Sequence, residues 1–197
     1  MIFDYPNSRS ERRHGPTGYA SYKAYLPWLR DEFDFRCVYC LKREKWGQVT
    51  GDFEIDHFEP QKLSPERRAD YENLVYACRR CNSVKLDQSI AGPFDLLSAE
   101  RIRILPDGVL HALDDETRRL VRQLDLNSPR LQQWRVMWMR IVALAEERDR
   151  DLWETLVSLP DDLPNLSRLR PPANSRQEGV RESWFERRGR GELASLP

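Results

Sequence analysis

The sequence predicts an α+β fold with a small zinc-bound core, flanking helices and a helical C-terminal region. Three observations support this prediction. All four cysteines occur in two Cys-x2-Cys pairs, and short alternating segments typical of strands surround an Asp-His pair between them. Beyond residue 114, apolar residues recur at helical spacing. With 197 residues, the chain is long enough for one domain with its own core and appendages.

The charge balance limits the classes of partner. Lys and Arg total 32, as do Asp and Glu, so the formal net charge is zero. This balance argues against a protein that coats nucleic acid through a continuous basic face, but an enzyme that grips a few phosphates is compatible with it. No apolar run approaches the ~18 residues of a membrane helix. The N-terminal Met-Ile-Phe-Asp lacks the order of a signal peptide. We therefore expect a cytoplasmic protein without a membrane partner.

The first predicted region, residues 1–92, holds an N-terminal arm, a helix and the core with its zinc site. Prolines and glycines in residues 1–18 indicate an extended arm. Apolar residues then follow near-helical spacing over residues 19–35, where Pro27 predicts a break or a fresh helix start. Because this segment leads directly into Cys37, we expect it to pack beside the cysteine site.

Short strands are predicted around the Asp-His pair. The pattern fits strands over residues 38–46 and 51–58, joined by a turn at residues 47–51. A third strand is expected at residues 74–77, followed by a knuckle between the second pair of cysteines and a helix that starts near Asn82.

The second predicted region, residues 93–160, is a hairpin and a helical extension packed on the core. Pro106-Asp107-Gly108 is the turn signal of the hairpin. Asp114 or Asp115 is expected to cap a helix to about Leu124.

A longer helix is expected from Ser128-Pro129 to about Leu159, with one apolar side. The members of that side are Leu131, Trp134, Trp138, Ile141, Ala145 and Leu152. The Trp residues suggest core packing rather than a base-stacking platform. The same apolar side of the helix could also form the interface of a dimer. The third region, residues 161–197, is predicted to be a Pro- and Arg-rich C-terminal tail with a short helix over residues 175–188. Its Arg187-Arg188-Gly-Arg190 run is expected to be solvated, with contact to phosphates or a protein partner as the open alternative.

The cysteines predict a structural metal site. Cys37, Cys40, Cys78 and Cys81 leave no thiol over. Paired thiols at this spacing suit tetrahedral Zn²⁺, whereas disulfides are disfavoured in a reducing cytoplasm. Four thiolates leave no open position on zinc, so a catalytic metal would have to be bound elsewhere.

The middle of this stretch carries groups suited to phosphodiester hydrolysis. Neutral imidazole, as in His57, can deprotonate water, and a hard divalent metal can stabilise the developing charge. Mg²⁺ takes only one or two protein oxygen ligands, and Asp56 and Asn82 are such a pair. Adjacent residues on a strand point in opposite directions, so His57 and Asp56 can serve opposite ends of the scissile bond.

Together these motifs resemble the HNH endonucleases of the ββα-metal (His-Me finger) group, in the cysteine-containing branch. The matching elements are Cys37-x2-Cys40, Asp56-His57-Phe-x-Pro60, Asn73-Leu74 and Cys78-x2-Cys81-Asn82-x2-Lys85. The last histidine of many members is Asn82 here, which leaves the preferred divalent metal open. The firm resemblance covers about 50 of the 197 residues.

The resemblance implies a role for each residue. His57 would be the general base, with Asp56 and Asn82 as ligands of a catalytic Mg²⁺ or Mn²⁺. Asn73 would hold the active-site loop by hydrogen bonds, and Lys85 would lie near the phosphate or be a solvated helix residue. The four cysteines would bind structural Zn²⁺, and the substrate would be DNA.

Two other functions stay open at this point. The first is a zinc-ribbon-like module that binds nucleic acid or protein without cutting it. The Asp56-His57 pair argues against this function, because a binding module does not need a base beside a metal ligand. The second is a nuclease that is silent until a protein partner activates it, as in bacterial anti-phage defence, where similar proteins are effectors. Zero net charge fits weak intrinsic DNA affinity.

Overall fold

A computed structural model describes residues 3–7, 11–46 and 52–193 of the chain. In chain order, its helices and strands are β1 Pro16–Thr17, α1 Leu26–Glu32, β2 Phe53–His57, β3 Leu74–Cys78, α2 Arg79–Lys85, α3 Pro93–Leu96, β4 Ile102–Ile104, β5 Leu110–Ala112, α4 Asp115–Gln123, α5 Pro129–Arg148, α6 Arg150–Val157, β6 Ala173–Asn174, α7 Glu178–Arg181 and α8 Trp184–Gly189. Among the described residues, no helix is long and apolar enough to cross a membrane.

The centre of the fold is a β-β-α unit. β2 and β3 pair antiparallel, with Asp56 opposite Val75 and His57 opposite Leu74. Every residue of β3 is buried, and α2 follows it without a connecting loop. This arrangement confirms the predicted α+β class with a ββα core and a four-cysteine cluster.

The predicted strand over residues 38–46 is wrong. The backbone N–H of Cys37 donates to the carbonyl of Lys42 at 2.9 Å, which closes a tight reversal, and a 3₁₀ turn follows at Glu44–Trp46. Two cysteines three residues apart can point at one centre only if the chain turns between them. The predicted turn at residues 47–51 lies outside the described part of the chain.

Two helix starts are informative. α2 begins at Arg79 with Cys78 as its N-cap, three residues before the predicted start at Asn82. The second cysteine pair therefore lies at a strand-to-helix junction. α1 contains Pro27 in its first turn, as a fresh helix start requires, and it contacts β3.

The hairpin and the first helix of the second region form as predicted. Gly108 takes φ +80° in the turn between β4 and β5, and the Asp114 side chain caps α4 by accepting from the N–H of Thr117. The single long helix is a wrong prediction, because the chain breaks at Asp149, whose side chain caps α6 by accepting from the N–H of Leu152.

The buried side of α5 matches the predicted one in part. Leu131 and Ala145 are buried as predicted, but Arg135 and Val142 are buried as well, and Ile141 is exposed. Trp138 stacks on Trp46 with ring centroids 4.5 Å apart, so the tryptophans pack against the core.

Residues 161–193 pack against the N-terminal part of the chain, and two short helices, α7 and α8, lie where one short helix was predicted. β6 pairs antiparallel with β1, which places Ala173 opposite Thr17. Trp184 is buried in a small cluster with Phe35. The arginine-rich end of α8 stays largely exposed. The boundaries of the three predicted regions remain predictions.

Candidate metal centre and catalytic cleft

The four cysteines form one cluster. Cys37, Cys40, Cys78 and Cys81 are all buried and unpaired, and their Sγ atoms lie within 4.8 Å of one another. The Sγ atoms of Cys40 and Cys78 are 3.7 Å apart. A zinc–sulfur distance of about 2.3 Å implies about 3.8 Å between ligands of a tetrahedron. The donor set and its size therefore fit zinc.

The thiols of the cluster shift one another's pKa values. Burial raises the pKa of the Cys37 thiol, whereas hydrogen bonds from neighbouring thiols, chiefly Cys37, lower the pKa of Cys78. Four buried sulfurs at this distance repel one another when all are ionised. A cation at their centre removes that repulsion.

His57 ends β2 at the floor of an open cleft of about 810 Å³. Its Nε2 lies 2.9 Å from the carbonyl oxygen of Arg68. Because a carbonyl can only accept, Nε2 carries the proton and Nδ1 is left with its lone pair. The side-chain amide of Gln61 lies 3.2 Å from Nδ1 and can donate to it.

The environment of His57 keeps the imidazole neutral. Burial lowers its pKa from the ordinary value of 6.5, and this outweighs the opposing effects of the Arg68 carbonyl and the Asp56 charge. The Tyr22 ring packs edge-on against the imidazole, with centroids 4.9 Å apart. A neutral imidazole with an unprotonated Nδ1 is the form that can accept a proton.

Asp56 points to the opposite face of β2 from His57. One carboxylate oxygen accepts from the hydroxyl of Tyr39 at 2.6 Å, and the other lies 3.1 Å from Nζ of Lys85. Burial and the Asp56 carboxylate raise the pKa of Tyr39, so its hydroxyl remains protonated and donates. Asp56 is 4% exposed and is one of the residues that line the cleft.

Asn82 faces the cleft from the first turns of α2. Its Nδ2 donates to Glu54 at 2.7 Å, and within the described residues its amide oxygen makes no hydrogen bond. Glu54 lies two residues before Asp56 on β2 and also pairs with Arg79 at 3.2 Å. Asp56, His57 and Asn82 all line the same cleft.

Asn73 joins the loop after β2 to the start of β3. It is fully buried, and its Oδ1 accepts from the N–H of Glu59 at 2.9 Å. Its Nδ2 donates to the carbonyls of Glu59 and Arg67 at 3.0 and 3.3 Å. These bonds fix the loop that carries the Arg68 carbonyl.

Lys85 is not the solvated helix residue that was one of its two predicted positions. Its side chain is 1% exposed, and Nζ donates to the carbonyl of His57 at 2.6 Å as well as to Asp56. The ammonium is therefore buried against β2. The other predicted position, close to the phosphate, stays a prediction.

Several residues of the site were not found from the sequence. Tyr39, Gln61, Tyr22 and Glu54 had no assigned role. Gln61 follows His57 by four residues in a loop, where spacing carries little information. Tyr39 lies between two cysteines, so its closeness to the metal centre could have been a signal. His14 and His111 lie outside the cleft, and His14 bonds Asp31 at 2.8 Å.

A β-β-α unit that presents imidazole, carboxylate and amide groups beside four clustered thiols is the kind of site that nuclease-type enzymes of the ββα-metal class have. The family model described as HNH endonuclease matches residues 37–88. This match confirms the resemblance for a stretch that contains the four cysteines and every residue of the predicted site. No curated protein matches the chain.

Proposed function

We propose that the chain is a metal-dependent HNH endonuclease that hydrolyses phosphodiester bonds of DNA, with His57 as its general base. The orientation of His57 is the observation that carries the proposal. The Arg68 carbonyl holds the proton on Nε2, so Nδ1 is left as the acceptor of a residue that lines the cleft, beside the Gln61 amide. A water between Nδ1 and a bound phosphate would lose its proton to Nδ1 as it attacks.

Asp56 and Asn82 would hold the catalytic Mg²⁺ or Mn²⁺. Both line the cleft, and the amide oxygen of Asn82 is without a hydrogen bond among the described residues. Carboxylate and amide oxygens are ligands that hard divalent cations prefer. When bound there, the cation would supply positive charge for the phosphate and the leaving oxygen.

The remaining residues of the matched stretch would support these three. Asn73 would keep the Arg68 carbonyl at the imidazole through its bonds to the loop. The four cysteines would bind structural Zn²⁺, since a four-thiolate centre has no open position for a substrate. Asn82 follows Cys81 directly, so the zinc centre would also fix the position of the amide.

Supercoiled plasmid with Mg²⁺ or Mn²⁺ is the direct test. We expect His57→Ala to slow cleavage by about 10²–10⁴-fold, the usual contribution of a general base. His111→Ala is the matched control, because His111 is exposed in β5 and does not line the cleft. Equal nicking by wild type and His57→Ala would refute the assignment. If wild type cuts neither DNA nor RNA with any divalent metal, a non-catalytic zinc-ribbon-like binding module becomes the better proposal.

Activation by a protein partner, as in antiviral defence, stays a prediction. This prediction is based on the zero net charge, which fits weak DNA affinity with few phosphate contacts and little counterion release. Robust cutting by the purified chain alone at moderate salt would exclude it.

A further inference from the structure

The carboxylate of Asp56 has two buried donors of different charge. Tyr39 is neutral, fully buried and 2.6 Å from one oxygen. Lys85 is cationic, 1% exposed and 3.1 Å from the other. A buried ammonium next to a proposed ligand of a divalent cation calls for an explanation, because two cations on one carboxylate repel each other.

The contacts of Lys85 suggest how it is accommodated. Its shorter bond goes to the carbonyl of His57, at 2.6 Å. An ammonium has three donors and rotates freely, so Nζ can release Asp56 and keep the His57 carbonyl. In the metal-free protein, the same ammonium neutralises a carboxylate that would be costly to bury alone.

Tyr39 is held in place by the first cysteine pair and by Tyr5. It lies between Cys37 and Cys40, and its own carbonyl accepts from the hydroxyl of Tyr5 at 2.6 Å. The turn between Cys37 and Cys40 therefore fixes the phenol, and the phenol fixes one oxygen of Asp56. A neutral donor of this kind orients a ligand without competing for charge.

From these contacts we infer that Lys85 is an internal counter-ion that competes with the catalytic cation for Asp56, whereas Tyr39 positions the carboxylate for that cation. Both are positioning residues, and the inference rests on the proposed function. It predicts effects of opposite sign on metal affinity. Purely structural roles for both residues would instead weaken binding in both variants.

The test is Mn²⁺ binding to the zinc-loaded full chain, measured by electron paramagnetic resonance of free Mn²⁺. Asp56→Ala identifies binding at this carboxylate. We expect Lys85→Gln to bind Mn²⁺ about tenfold more tightly, within the usual range for coupling between two sites. We expect Tyr39→Phe to bind it about tenfold more weakly. Tyr5→Phe is the control. It removes a buried hydroxyl that bonds to the carbonyl of Tyr39 and does not touch Asp56.

The outcomes separate the two proposals. If Asp56→Ala leaves Mn²⁺ binding unchanged, the metal site of the proposed function fails. If binding depends on Asp56 but Lys85→Gln binds Mn²⁺ equally or more weakly, the counter-ion role alone is refuted.

A measurement on the wild type covers the case in which Lys85 variants do not fold. The ¹⁵N signal of the Lys85 ammonium should shift as Mg²⁺ is added. A Lys85 signal that stays unchanged while Mg²⁺ binds in an Asp56-dependent manner would overturn the inference.

Discussion

The four-cysteine cluster and the Asp56–His57–Asn82 cleft are built from the same short stretch but differ in closure. The cluster is buried and has a complete set of four soft ligands. The cleft is open, and its groups have room for additional partners. If both proposed metals bind, one small unit would separate their two roles: the closed centre would stabilise the fold, and the open one would be available for chemistry. The following five predictions test this contrast, from the largest expected effect to the smallest.

Removing zinc should have the largest effect. Chelation, or Cys78→Ser, is expected to remove about 10 kcal/mol of metal-binding free energy and to unfold the core, because metal binding and folding are coupled. Circular dichroism and metal analysis would measure this, with about one zinc per chain expected in the wild type. His57→Ala should keep both the zinc and the fold. A wild-type protein without zinc, or Cys78→Ser with an unchanged melting curve, would contradict the closed centre.

Asn73→Ala should affect both stability and cleavage. Loss of its three hydrogen bonds is expected to cost about 3 kcal/mol. Cleavage should fall as well, because the freed loop carries the Arg68 carbonyl.

Asn127→Ala is the matched control for this loop. Asn127 makes a similar pair of bonds with the backbone of Leu110, at 2.8 and 2.9 Å, away from the cleft. Urea denaturation should show that Asn127→Ala is destabilised too. Its cleavage rate per folded molecule should equal that of the wild type. If both variants cleave at the same rate per folded molecule, Asn73 has no special role at the cleft.

The pH dependence should report His57. Burial lowers the pKa of His57 below 6.5, so its neutral form persists at neutral and slightly acidic pH. The cleavage rate should not change with pH near pH 7, and it should fall tenfold per pH unit below the lowered pKa. Tyr22→Ala exposes the imidazole, and the acid limb should move up towards 6.5. An acid limb above 6.5 in the wild type would contradict the burial of the base.

The same shift has a consequence for stability. The unfolded chain binds this proton more readily than the folded one does. The His57 contribution to stability is therefore complete above about pH 6.5 and is lost as the pH falls towards the lowered pKa. Urea denaturation between pH 5 and 7 would show the loss, which should be absent in His57→Ala.

Glu54→Gln should have the smallest effect. Its carboxylate adds negative charge beside Asn82 but is partly exposed, so we expect an effect of at most about 1 kcal/mol, or about fivefold weaker Mn²⁺ binding. Glu66→Gln, on an exposed 3₁₀ turn, should bind Mn²⁺ as the wild type does. Zinc content should be the same in all three proteins. A change in zinc content would mean that the two centres are not separate.

The sequence contained enough to find the groups whose chemistry depends on residue type and spacing. Two Cys-x2-Cys pairs predicted the cluster, and the Asp56-His57 pair predicted which strand carries the cleft. The predicted strand over residues 38–46 was wrong, because alternation alone does not show that two thiols must converge. The helix break at Asp149 was not predicted, because the helical spacing of apolar residues continues on both sides of it and only one capping residue signals the break.

Contacts distant in sequence could not be predicted. The phenol of Tyr39 and the ammonium of Lys85 meet at Asp56 only after three elements have packed together. Lysine is usually exposed, so its sequence position gave no reason to expect burial. The pairing of β6 with β1 has no local signal either, because each partner is only two residues long.

That pairing has a consequence for the order of folding. The hydroxyl of Ser175 bonds to the carbonyl of Gly15 across 160 residues of chain. Bringing such distant segments together costs about 4.5 kcal/mol of loop-closure entropy. The contacts within residues 37–88 span far shorter distances along the chain. We therefore expect the two-residue ladder to form late during folding and to be the first to exchange its amide hydrogens with solvent.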